Sequence, residues 1–184
     1  MFGYIEEEYE HMKIIKVFII GFLLLLAACG SEEVSNKKTT FEFSVEDLEN
    51  RIKEALKQMG SETNLKMISN EINEDGEYVI TLSDKIYFFI QVDDSKNVTK
   101  VTLAALSDAF LSEKNDLMFS FLLLVGTVDD SLVAGERSKV VSNLRLNDNT
   151  VNILDHLEVF TFNEIEYTYK GSSEDHIILQ AIPK

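Results

Sequence analysis

The spacing of apolar and polar residues changes several times along this chain, and each change marks an element. Between residues 44 and 60, Val45, Leu48, Ile52, Ala55, Leu56 and Met59 fall on one stripe at helical spacing. Ser44 is placed to cap that helix with Asp47 at its third position, Phe43 to staple onto Leu48, and Gly60 to stop it. From Leu65 the period falls to two, and strands are predicted over 67–72, 78–82, 86–92 and 98–103. The breaks between them, at 73–76, 83–85 and 93–97, are short and rich in Asn, Asp, Gly and Ser, which suits antiparallel neighbours. Residues 117–128 are apolar almost all round, as a helix buried on most sides must be, with Asp116 and Asp129 bounding them. A further helix is expected from Asp130-Ser131 to about Leu144, with Leu132, Val133, Val140, Val141 and Leu144 inward. Strands over 158–162, 165–169 and 176–182 end the chain, turning at Asn163-Glu164 and at 171–175.

Helices and strands segregated in this way define an α+β fold: an antiparallel sheet of hairpin-connected strands with helices packed on one face. The helix-then-meander order occurs twice, as an old duplication would leave it, although the halves share no sequence identity. The expected organisation is a signal peptide over 1–28, a flexible tether over 29–40 and a single acidic domain over 41–184.

The start of the chain carries a different signal. Lys13 and Lys16 precede an unbroken apolar run of twelve residues, 17–28. As a helix that run reaches about 18 Å, short of the roughly 30 Å of a hydrocarbon core, and the arrangement is that of a secretory signal peptide. It ends in Leu26-Ala27-Ala28-Cys29, which resembles the lipobox of bacterial lipoproteins. The resemblance implies that Cys29 takes a diacylglyceryl group on its thiol and that lipoprotein signal peptidase then cuts before it. It also implies a second acylation on the new amine and localisation at the cell membrane, on its extracytoplasmic face. The polar segment 30–40 then serves as a tether of about 18 Å as a random coil. Four glutamates ahead of the basic region do not suit a signal peptide, so translation is expected to start at Met12. Fourteen lysines against three arginines, with one proline, suggest an AT-rich genome and a Gram-positive source.

Charge narrows the partners. The chain has 17 basic and 32 acidic residues, a net charge of −15. Cleavage before Cys29 leaves 15 basic and 28 acidic residues, so the acidity belongs to the domain. Such a surface repels phosphate backbones, which excludes nucleic acid, and it complements a protein partner with a basic face. A hydrophobic content of 45% excludes a disordered chain, and one cysteine excludes an internal disulfide.

Catalytic and metal-binding patterns are hard to find. Glu71, Asn73, Asp75 and Gly76 mimic half of an EF-hand loop, but Leu82 stands where calcium needs a bidentate glutamate. Asp93, Ser95 and Asn97 fail likewise, with Val98 at the glycine position and Ala104 at the end, and both segments read as hairpin turns. His156 and His176 each follow an aspartate, yet neighbours in sequence do not face one another, and the histidines have no zinc-ligand spacing. No nucleophile elbow or phosphate-binding glycine loop occurs, and the one thiol is committed to lipid. Glu164 and Glu166 lie on one strand face and could serve acid–base work, but a solvated face is the default. Phe160, Phe162, Tyr167 and Tyr169 crowd the last hairpins and read as core. No enzyme and no cofactor are therefore expected, and the favoured expectation is a membrane-anchored binding module. A small-ligand-binding lipoprotein and an immunity or inhibitor lipoprotein are the alternatives.

Overall fold

The computed structural model describes residues 39–184; Cys29, the lipobox and most of the tether lie outside them. Ser44 caps α1 (Val45–Met59) reciprocally with Asp47: the Asp47 amide donates to Ser44 Oγ at 3.2 Å, and the Ser44 amide to Asp47 Oδ2 at 2.9 Å. Gly60, at φ 56°, ends the helix as expected. Four strands follow as an antiparallel meander: β1 (Ser69–Ile72), β2 (Tyr78–Thr81), β3 (Ile86–Val92) and β4 (Val98–Leu106). A short α2 (Ala109–Ser112), for which the sequence pattern gives no sign, leads into α3 (Lys114–Val128) and α4 (Ala134–Asn143). The chain ends in β5 (Asp155–Phe162), β6 (Ile165–Ser172) and β7 (His176–Pro183). The α+β expectation is correct: one seven-stranded antiparallel sheet, ordered β1-β2-β3-β4-β7-β6-β5, carries the helices.

Two helical expectations need correction. Helix α3 begins at Lys114, so Asp116 lies inside its first turn, buried, instead of bounding it. Helix α4 begins only at Ala134, and Val133 is exposed: it is the extended residue that caps the helix, its amide donating to Glu136 Oε2 at 3.1 Å. Leu132, Val140, Val141 and Leu144 are buried as expected.

Helix α3 is the centre of the packing. It lies against the two middle strands, β4 and β7, and contacts α1 and α4 as well. That position explains its nearly uniform apolar sequence: Leu117, Phe121, Leu124 and Val128 are all buried. Its buried hydroxyls are satisfied by the helix itself, Ser120 donating to the Leu117 carbonyl and Thr127 to those of Leu123 and Leu124. Arg51 joins α1 to the end of α3, with Nη1 donating to the Thr127 carbonyl at 3.0 Å and Nη2 on Asp130 at 3.0 Å. Its guanidinium lies 4.6 Å from the Phe43 ring, which stacks on Phe41.

The strand order carries the repeat seen in the sequence. Each meander ends on a central strand, and β4 pairs with β7 about Leu103 and Leu179. An exchange of the two strands turns the pair Val101–Ala181 into Ala105–Ile177 and places Phe88 where Tyr169 stands.

Tyr167 and Tyr169 are fully buried on the helix side of β6, but their hydroxyls fare differently. Tyr169 donates to the Ile153 carbonyl at 2.7 Å and meets Phe121 edge-on. Among the described residues the Tyr167 hydroxyl has no partner, and burial followed by the nearby Asp129 charge pushes its ionisation far above the ordinary range. Tyr167→Phe is therefore expected to be neutral or to gain up to about 1 kcal/mol, and Tyr169→Phe to lose about 1–2 kcal/mol. Thermal denaturation of both variants checks this; equal losses would refute it.

Candidate interaction surface

The chemistry-bearing residues are held apart. His156 sits half-buried on β5, its Nε2 3.0 Å from the Leu144 carbonyl, while His176 opens β7 at the surface. Against expectation, His176 does meet its neighbour: Nδ1 contacts Asp175, because the turn before β7 brings that carboxylate round onto the ring. Glu164 and Glu166 do not share a strand face. Glu164 is a turn residue at φ 59°, and Glu166 pairs with Lys184 at 2.6 Å. In the EF-hand-like segment, Asn73 Oδ1 accepts from the Glu77 amide at 2.9 Å and Gly76 takes φ 79°. Asp93 Oδ1 likewise accepts from the amides of Ser95 and Asn97, each at 2.9 Å. Both carboxamide and carboxylate are spent on turn geometry. Among the described residues, no group of three or more His, Cys, Asp or Glu is placed to hold a metal ion, and no helix is long and apolar enough to cross a membrane.

Two clefts lie near the loop that joins α1 to β1. The first, about 370 Å³, is lined by Asn64, Lys66, Ser83, Asp84, Glu113 and Asp116 above Ile68 and Leu82. Its polar groups largely satisfy one another. Asp116 accepts from Thr63 Oγ1 at 2.7 Å, the Asn64 amide at 2.8 Å and Asn64 Nδ2 at 3.1 Å, while Ser83 donates to Glu113 at 2.9 Å. Burial pushes the Asp116 carboxyl up, but those donors outweigh it and hold the group below the ordinary aspartate value. The second cleft, about 340 Å³, has Lys53, Lys57 and Lys66 around Leu56, Leu65 and Met67.

A continuous feature is the sheet face that no helix among the described residues covers, half-exposed over most of its middle and with Val79 buried. Strand alternation sends Ile80, Phe88, Leu103, Leu179 and Tyr169 to the helices, and their neighbours in sequence to the other side. One outer row runs across all seven strands as Glu71, Val79, Phe89, Thr102, Gln180, Thr168 and Val159. The next runs Ser69, Thr81, Tyr87, Ala104, Ile178, Lys170 and Leu157. These two rows hold a single acid, Glu71, and a single base, Lys170. The acids gather instead in the turns, at Glu74-Asp75, Asp93-Asp94, Asp129-Asp130 and Glu174-Asp175. An acidic domain thus presents a nearly neutral face of Val, Ile, Leu, Tyr, Phe and Thr inside an acidic rim. Phe160 and Phe162, by contrast, belong to the helix side, where Lys139 Nζ lies 5.4 Å from the Phe162 ring.

No protein-family model, curated protein or solved structure matches this chain.

Proposed function

We propose that this chain is a lipoprotein held at the extracytoplasmic face of the cell membrane through Cys29, and that its domain acts by binding a protein and not by catalysis. The anchoring half rests on Leu26-Ala27-Ala28-Cys29 and the run before it, since several acyl chains hold a protein stably where one does not. The binding half is carried by the uncovered sheet face. Seven strands about 4.8 Å apart and four to nine residues long give a footprint on the order of 700 Å², close to the roughly 800 Å² per partner of a standard interface. Apolar faces of that extent mark interaction sites. The acidic rim adds a preference for a partner with basic residues around an apolar centre, and tethering raises the local concentration near membrane partners.

Crosslinking in living cells, with recovery of the chain from wild type and from Cys29→Ala, tests both halves. The expected result is one protein partner recovered from the anchored form and lost from Cys29→Ala, with binding weakened by added salt. No partner from either strain would overturn the binding reading, and equal recovery from both would overturn the role of the anchor. A second reading, a small-ligand site in the Asn64–Asp116 cleft, is favoured only by that cleft's volume. The mutual pairing of its polar groups speaks against it.

A further inference from the structure

We propose that the free edge of β5 is a self-pairing surface, on which two copies of this chain join antiparallel about a two-fold axis through Val159. The sheet has two edges of unlike character. Strand β1 is four residues long, too short to template much pairing. Strand β5 runs eight residues in unbroken register with β6, without lysine, proline or bulge; of the devices that ordinarily protect an edge it has only charge, in Asp155 at its start and Glu158 on the helix side, and none between Val159 and Phe162.

Hairpin geometry identifies which backbone groups are free. Asn163 and Glu164, at φ 48° and 59°, form a two-residue turn, so Phe162 and Ile165 exchange hydrogen bonds across it. Alternation then turns the N–H and C=O groups of Phe160, Glu158 and His156 toward β6. Those of Leu157, Val159 and Thr161 point away from the sheet, and among the described residues none of them has a hydrogen-bond partner. Leu157 and Val159 are 67% and 50% exposed, on the face away from the described helices.

A two-fold axis at Val159 sets Val159 against itself and Leu157 against Thr161, and each such pair exchanges two hydrogen bonds. Glu158 then lies opposite Phe160 and His156 opposite Phe162, so no like charges face each other. An axis at Glu158 would oppose two glutamates whose backbone groups already face β6. An axis at Leu157 would leave the Thr161 groups unpaired. A foreign strand would need no such self-complementarity; a second copy does, and this register provides it.

The inference does not depend on lipidation, and salt distinguishes it from the proposed function. Two acidic domains repel, so added salt should strengthen this dimer while weakening a complex with a basic partner. Cys29 is the chain's only cysteine, so the full chain carrying Cys29→Ser is free of thiols. In that background Val159→Cys should give a disulfide dimer on mild oxidation, because paired Cα atoms about 5.5 Å apart lie within disulfide reach. Leu157→Cys and Thr161→Cys should fail singly and crosslink when combined. In solution the chain in detergent should double its mass with concentration, and Val159→Lys, at an exposed position, should hold it monomeric with its circular dichroism unchanged. Equal crosslinking at all three positions, or a Val159→Lys chain that still dimerises, would overturn the proposal. So would a chain that stays monomeric while Val159→Lys abolishes a crosslinked partner in cells, since that assigns the edge to a foreign strand.

Discussion

Gly171→Ala is expected to destabilise the domain by about 3–5 kcal/mol. Gly171 lies in β6 opposite His156. A Cβ built there would stand 1.7 Å from the Ile153 carbonyl oxygen and 2.8 Å from its carbon, both backbone atoms, and 3.1 Å from the Tyr169 hydroxyl. Neither neighbour yields cheaply. Ile153 is buried, and its carbonyl accepts the Tyr169 hydrogen bond at 2.7 Å. Making room moves the Ile153 backbone by more than an ångström, breaks that bond and disturbs the packing of Tyr169 on Phe121. Against a typical stability of about 5–15 kcal/mol the loss is large, and the midpoint of thermal unfolding should fall on the order of 10 °C. Gly135→Ala is the control: it lies in α4 with nothing within 4 Å of the added carbon, and should be neutral or stabilising. A Gly171→Ala variant within 1 kcal/mol of wild type, by urea denaturation, would refute the argument.

The contrast between these glycines measures what the chain reveals before folding. Local signals were legible: the Ser44–Asp47 box, Gly60, the two-residue turn at Asn163-Glu164 and the period-two runs all mark elements that the structure contains. They depend on residues a few positions apart. Gly171 reads in sequence as a turn residue, yet it lies inside β6, and its role comes from a backbone segment eighteen positions away. Asp116 read as a helix boundary for the same reason, because its partners, Thr63 and Asn64, lie more than fifty residues upstream. The uncovered face was hidden differently. Alternation shows that a strand has two sides, but which side meets the helices is decided by α3, and the outer side is apolar enough to read as a second interior. The free edge of β5 follows only from strand order, which places the fifth strand outside the sixth and seventh.

Asp116 supplies the other large effect, and its pH dependence separates it from a simple packing loss. The carboxylate receives three hydrogen bonds that fold the loop after α1 onto the first turn of α3, where the helix dipole also favours a negative charge. Asp116→Ala leaves the Asn64 amide and the Thr63 hydroxyl, both part-buried at these bonds, without their acceptor and should cost about 2 kcal/mol near neutral pH. Asp116→Asn keeps the shape and one acceptor oxygen for Thr63 and the Asn64 amide, but it turns its NH2 toward Asn64 Nδ2 and removes the charge, and should cost less than Asp116→Ala. Because the group is held below the ordinary aspartate value in the folded state, its stabilisation is complete above that value. It is lost as the pH falls through the folded value, below about 3.8. The difference between wild type and Asp116→Asn should therefore hold from neutral pH down to the ordinary aspartate value and shrink only on further acidification, below about 3.8. Asp47, lowered by Ser44, and Asp148, lowered to about 2 by Thr150 and Arg145, are intact in both proteins and contribute equally to the acid limb. Urea denaturation of both proteins from pH 7 to about pH 2 follows the difference directly. A gap that stays constant with pH would mean that Asp116 stabilises by filling space and not by its charge, and the account of the α1–β1 loop would have to be redrawn.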